Sequence, residues 1–222
     1  EFALAEAAYH ELMAMQLEPV EQPEVVNRLL AAVYKQGEAS EVAGDVDTAV
    51  YHFMRVAQLD PLAPLAAQGH FDAIAVIEGA GRIAEAADLL SRFRVLYPNH
   101  ERGRGIDMRL AGMYEQTENW SAAAERYLAL AKHDNDVDVR RQSLYRAAEI
   151  YLQEDDISAA IEHFRDYAHT YQKPWDLRLE AIHNMDELYQ RSGEEDKRRF
   201  WLGEKIQLHA DMGRQATERS TY

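Results

Sequence analysis

The sequence predicts an all-α solenoid of antiparallel helix pairs in units of about 37 residues, and two observations carry that prediction. Four alanines stand 37 residues apart: Ala49, Ala86, Ala123 and Ala160. Each has a bulky residue four positions downstream (Phe53, Leu90, Tyr127, Phe164) and another seven downstream (Val56, Phe93, Leu130, Tyr167). A fourth apolar column, Val46, Ile83, Trp120 and Ile157, stands three upstream. Self-similarity at such a period marks stacked supersecondary units, none of which can bury its apolar face alone. The second observation is local. Residues i, i+4 and i+7 share one helix face, and alanine suits a close helix crossing because a larger side chain would push the axes apart.

The elements follow in order. Residues 1–19 read as the second helix of a preceding unit, with Ala8, Leu12 and Met15 echoing the stripe before Glu18-Pro19. The first full unit, 23–61, opens with Pro23 at a first-turn position, breaks at Gly44-Asp45 and restarts with Asp47 as candidate N-cap. The second, 62–98, turns at Gly79-Ala80-Gly81 and closes at Leu96-Tyr97-Pro98. The third, 99–135, turns at Glu118-Asn119 with Ser121 as candidate cap. The fourth, 136–172, turns at Asp155-Asp156 with Ser158 in that role. First helices carry their own stripe, seen in Ala73, Ile74 and Ile77, in Leu110, Ala111 and Tyr114, and in Leu144, Ala147, Ala148 and Tyr151. A fifth, divergent pair is expected over 174–212, with the 37-residue register slipping. The start of a further helix is expected over 213–222. The whole of 1–222 reads as a single array. The chain opens at Glu1-Phe2 without Met, and neither end carries an obviously polar capping helix. It is therefore expected to be a segment of a longer protein, with Glu1-Phe2 a candidate cloning scar.

Composition narrows the partners. The 47% hydrophobic content suffices for a substantial interior. A formal net charge of −15 argues against nucleic acid, whose backbone needs clustered Lys and Arg. It suits the solubility of a large exposed surface. There is no cysteine, so disulfides and thiolate-bound metals are excluded. No stretch is long and apolar enough to span a bilayer, so no direct membrane insertion is expected.

Enzymatic motifs are missing. His10-Glu11 lacks the second histidine of a zincin helix. His163 and His169 are six apart and fall on different helix faces. His100-Glu101 and His133-Asp134 lie in or near turns between units. Gly103-Arg104-Gly105 is followed neither by the glycine of a phosphate fingerprint nor by Lys-Ser, and no G-x-S-x-G occurs. No catalytic residue, metal or cofactor is expected.

Gly37, Ala111 and Ala148 at one position of the unit, Tyr114 and Tyr151 three residues on, Gly44 or Gly81 at the turn, then alanine, ring and closing proline: with these residues the chain resembles the tetratricopeptide (TPR) repeat superfamily from about residue 30 to 190. The resemblance implies a right-handed superhelical solenoid whose first helices line a concave groove for extended peptides or partner helices, and a non-enzymatic role. The usual unit is shorter by three residues, and its tryptophan is replaced by Val33, His70, Asp107 and Leu144. The closures Phe93 to Pro98 and Tyr167 to Tyr171 look like repeats of bacterial envelope lipoproteins and periplasmic scaffolds. The run from Arg198 to Leu202 is similar to TPR proteins of TonB-type or Tol-type systems. A periplasmic or envelope location follows from that likeness.

Aligned on the superfamily, the fifth position of each unit reads Tyr34, Phe71, Met108, Tyr145 and Ile182, residue types suited to a binding surface or to sideways packing on the neighbouring helix. The sixth reads Lys35, Asp72, Arg109, Arg146 and His183. Arg109 and Arg146 could hold a carboxylate bidentately, or form salt bridges along the wall with Glu115 and Glu149. The expected peptide-binding set is Tyr34, Lys35, Phe71, Met108, Arg109, Tyr145, Arg146, Glu149 and Ile182. The Asn of TPR domains that grip chaperone C-termini is missing. The leading expectation is a protein or peptide-binding scaffold; the alternative is a spacer or oligomerisation module packing on its own chain or, as a homodimer, on a twin.

Overall fold

The computed structural model describes residues 1–15, 18, 21–103 and 105–220, with the side chains of 102 and 215–220 left aside. The expected continuation of the first helix to residue 19, Arg104 of the Gly103–Gly105 run, and 221–222 are therefore wholly or partly outside the described residues. These form eleven α-helices: α1 Phe2–Ala14, α2 Gln22–Val42, α3 Val46–Leu59, α4 Pro64–Gly79, α5 Ile83–Leu96, α6 Ile106–Gln116, α7 Trp120–His133, α8 Val137–Gln153, α9 Ile157–Thr170, α10 Trp175–Ser192 and α11 Glu195–Ser220. The chain divides into two compact units, 1–106 and 107–222. The division falls after the long link between α5 and α6, which holds one 3-10 turn at Glu101–Gly103 and a left-handed Gly105.

Each hairpin turn uses one left-handed residue, and these recur at the repeat period: Gly44 (φ 77), Gly81 (φ 76), Glu118 (φ 56) and Asp155 (φ 60). The next residue's N–H then reaches back five positions, as in Asp45 to Ser40 O at 2.9 Å and Asp156 to Tyr151 O at 2.9 Å, satisfying the last helix carbonyls. The fifth pair turns at Gly193, one residue beyond the 37-residue register, which is the slip seen in the sequence. Because the turns are this tight, the caps lie earlier than Asp47, Ser121 and Ser158. The side chains of Asp45, Asn119 and Asp156 accept from the backbone N–H of Thr48, Ala122 and Ala159 instead. The expected caps sit inside the first turn, where a side chain no longer faces the free N–H groups. No separate helix starts at 213, since α11 runs unbroken to Ser220.

In unit 1, α2 packs on α1 and α3, and α4 packs on α3 and α5. Its core gathers Leu29, Leu30, Val33, Val56 and Ala66, beside Ala49, Phe53, Ala73 and Val76. In unit 2 the core gathers Ala160, Phe164, Tyr167, Ala181, Ile182, Met185 and Trp201, with a smaller group at Ala123, Ala124 and Ile150. All four stripe alanines are 0% exposed, so each lies wholly within the core. No helix among the described residues is long and apolar enough to cross a membrane.

Candidate functional site

First helices carry the residues singled out in the sequence, and each unit presents its own set. In unit 1 the face is built by α2 and α4. The hydroxyl of Tyr34 donates to Asp72 at 2.5 Å, and Gln68, one turn earlier on α4, donates to both oxygens of that carboxylate at 2.8 Å. Burial, then the Asp72 carboxylate, pushes the Tyr34 phenol well above its ordinary range, so it stays a donor. Its ring packs against Phe53 with centroids 5.2 Å apart. Phe71 stands edge-on to Phe93 at 5.6 Å. Both Tyr34 and Phe71 keep one side in solvent. Exposed Lys35 pairs along its own helix with Glu38 at 2.5 Å.

In unit 2 the corresponding residues come from α6, α8 and α10. Met108 is exposed and Arg109 half-buried. Arg146 forks onto Glu115: its Nε and Nη2 donate to the two carboxylate oxygens at 2.9 and 2.8 Å, while Nη1 donates to Glu149 at 3.0 Å. The guanidinium holds the Glu115 carboxyl below the usual range against a smaller opposing effect of burial. Burial, then Glu115, pushes the Tyr127 phenol up to about 12. Arg146 is thus a tie between α6 and α8. An incoming carboxylate would have to compete with Glu115 for its fork.

Two of the expected contact residues offer no surface. Tyr145 is 6% exposed and Ile182 0%. The Tyr145 ring lies edge-on to Phe164 and Tyr167 at 5.6 and 5.0 Å, and Ile182 belongs to the same core. At Tyr145 the fifth position therefore packs sideways onto rings of α9 and at Ile182 it is enclosed in the core, whereas Met108 keeps exposed surface.

Arg146 pairs with Glu115 and Glu149, the salt bridges along the wall that the sequence offered as one of two readings. What the sequence did not connect is Tyr34 with Asp72: Asp72 occupies the sixth position, but the link spans 38 residues, one period plus one. Searching for polar groups near multiples of the repeat would have found it. The tie of Glu6 on α1 to Gln36 and Arg55 had no such signal, because Glu6 lies outside the repeated register. Among the described residues no group of three or more His, Asp or Glu is placed to hold a metal. These faces present part-exposed rings and ionic groups carried on helices.

Residues 142–173, covering most of α8 and all of α9, match the family described as Tetratricopeptide repeat. No protein of curated function matches the chain. Among solved structures, it is similar to the nearly identical TPR-like repeats of a Podosopora anserina protein assigned as a kinesin light chain (TM-score 0.43, 17% identity, covering 82% of this chain and 96% of that one). It is similar to the MamA protein (TM-score 0.42, 17% identity, 83% and 94%). It is also similar to a tetratricopeptide repeat protein from Parabacteroides merdae (TM-score 0.43, 14% identity, 85% and 79%).

Proposed function

We propose that this chain of tetratricopeptide-type helix hairpins is a non-enzymatic scaffold that binds a peptide or partner helix along the faces of its first helices. The fold supports a protein-interaction scaffold in general, and the repeat family is generally non-catalytic. The observation that carries the finer reading is the set of large side chains left part-exposed there, Tyr34 and Phe71 in unit 1 and Met108 in unit 2, each flanked by ionic groups. Aromatic residues and Met are enriched at interface hot spots. The charge of −15 favours a protein partner over nucleic acid. The likeness of the closing segments to envelope scaffolds supports a partner within a bacterial envelope complex, in the periplasm.

Photo-crosslinking at positions 71 and 108, with Tyr51 on α3 as control, tests this. Tyr51 is 58% exposed and lies on a second helix. One partner crosslinked from 71 or 108 and absent from 51 is the expected result. With that partner in hand, Arg109→Ala with Arg146→Ala should weaken binding about tenfold, or about 1.4 kcal/mol, with the melting temperature within a few degrees of wild type. Unchanged affinity refutes the role of these arginines.

A second reading, packing on the rest of its own chain or on a twin, has one observation of its own. Helix α1 has no fully buried residue, and Leu4 and Met13 on it and Met15 just past its end are exposed. Light scattering distinguishes the two: a monomer that binds the crosslinked partner supports the first, a dimer that binds nothing the second.

A further inference from the structure

At the start of the fifth pair, unit 2 has a cleft of about 520 Å³ lined by Arg141 of α8, Lys173 and Pro174 of the link before α10, Trp175 and Asp176 of the first turn of α10, and Met212 of α11. Three of its walls are apolar: the indole, the proline ring and the thioether. Its charged groups are two cations and one carboxylate. That balance is the reverse of the chain's net charge of −15, and the cations are not used up internally. Lys173 is exposed and makes no ion pair among the described residues. Arg141 gives Nη1 to Asp138 at 2.8 Å, but its Nε is buried with no partner among the described residues.

Two more features favour an anion at this place. Helix α10, 18 residues long, opens into the cleft with Pro174 at its cap position and no side-chain cap, leaving its first-turn N–H groups and the positive end of its dipole there. Tyr167 is 0% exposed and its hydroxyl has no hydrogen-bond partner among the described residues. It lies in the field of Arg141 and Asp176, both of which line the cleft. A buried polar group left unpaired costs about 1–3 kcal/mol, and Arg141 Nε, on a residue that lines the cleft, is the group an added acceptor would satisfy.

We infer that the cleft binds a carboxylate carried on an apolar body, with Arg141, Lys173 and the open end of α10 facing the carboxylate and Trp175, Pro174 and Met212 facing the body. Either a free organic acid or the C-terminus of a polypeptide ending in an apolar residue has that chemistry. None of its lining residues belongs to the contact set proposed on the first helices, so it stands or falls without that set.

Calorimetric titration of the 222-residue chain at low salt with N-acetyl-phenylalanine, with its carboxamide and with octanoate tests the inference. N-acetyl-phenylalanine is expected to bind at least tenfold more tightly than the carboxamide. Lys173→Gln should weaken it at least threefold without moving the melting temperature, because that side chain is exposed. Arg141→Gln should weaken it further, and Arg141→Lys, which keeps the charge, should restore part of the loss. Octanoate binding as well as N-acetyl-phenylalanine identifies a free acid as the ligand; octanoate binding at least tenfold more weakly identifies a chain terminus. Equal affinity for acid and carboxamide, no binding by any of the three, or an unchanged affinity in Lys173→Gln overturns the site.

Discussion

The two units solve the same packing problem with different residues. In unit 1 the stripe residue Phe53 meets the Tyr34 ring but is also received by two glycines. A Cβ at Gly37 would come within 2.7 Å of the Phe53 ring, and one at Gly69 within 2.6 Å of the Phe53 carbonyl oxygen. In unit 2 the positions matching Gly37 are Ala111 and Ala148, both 0% exposed, and Phe164 meets the ring of Tyr145. Backbone brought against an aromatic leaves nothing to shift if the aromatic is lost. A ring packed among rings leaves neighbours that can relax.

Phe→Ala in each unit is the strongest way to break that contrast. Removing a buried Phe costs about 3–5 kcal/mol, more where the site cannot collapse. Phe53→Ala should therefore fall near the upper end of that range and Phe164→Ala near the lower, read by chemical denaturation. The reverse order would mean that the glycines of unit 1 close up more readily than the tyrosines of unit 2.

Glycine-to-alanine exchanges sharpen the comparison because they should differ in sign. Both Gly69 of α4 and Gly112 of α6 are inside helices, where alanine is better by about 1 kcal/mol. At Gly112 a Cβ meets nothing within 4 Å, so Gly112→Ala should stabilise by about that amount. At Gly69 it meets backbone, and overpacking of about 1–3 kcal/mol exceeds the helical gain. Gly69→Ala should destabilise by about 1–2 kcal/mol. Equal shifts in denaturation midpoint for the two variants would count against the close approach of α4 to α3.

How much of this was legible beforehand follows from what repeats. The alanine columns, the bulky groups four and seven residues on and the turn positions were all readable, since a period exposes any residue that one unit needs and the next needs again. The left-handed turn position was harder. Gly44 and Gly81 announce it, but Glu118 and Asp155 occupy the same conformation without glycine. The caps were misplaced by two residues because Ser121 and Ser158 are good capping types in a first turn that had already begun. Of the candidate site, Tyr34, Phe71 and Met108 do keep exposed surface, whereas Tyr145 and Ile182 do not. Burial at the fifth position depends on the ring sizes of the next helix, and no single unit's sequence contains that.

The units should also differ in acid. His70 is 0% exposed, with Nε2 at 3.1 Å from the carbonyl oxygen of Leu89, edge-on to Phe93 and Tyr97. That geometry makes Nε2 the donor. Burial lowers the pKa of the ring, nearby Arg92 adds to this, and the Leu89 bond opposes it. Burial, then Arg55, lowers His52 as well. A histidine held neutral in the fold takes up its proton on unfolding, so stability is full above the unfolded value of about 6.5 and falls as pH drops through the window below it. The limiting slope is about 1.4 kcal/mol per pH unit for each such group. Amides of α4 and α5 should lose protection relative to those of α8 and α9 between pH 7.5 and 5.5, after correction for intrinsic exchange. His70→Gln, which can keep a donor for Leu89, should reduce the loss. Equal loss in both units would contradict the assignment.

The smallest expected effect concerns the tie that makes unit 2 distinctive. Arg146 has three hydrogen bonds to two carboxylates, yet its side chain is 38% exposed, where solvent screens the pair and the side chains lose entropy in holding one geometry. Arg146→Ala should therefore cost no more than about 1 kcal/mol, and less in high salt. The Glu115 carboxyl is held low, so its contribution is present above about pH 4.5, the unfolded value, and is lost as pH falls through the folded one. That places the acid response of the tie well below the histidine window of unit 1. Arg146→Lys separates fork from charge: it keeps the attraction but loses the bidentate geometry. If Lys restores stability but not partner binding, the fork serves recognition. If it restores both, the tie is only a strut between α6 and α8.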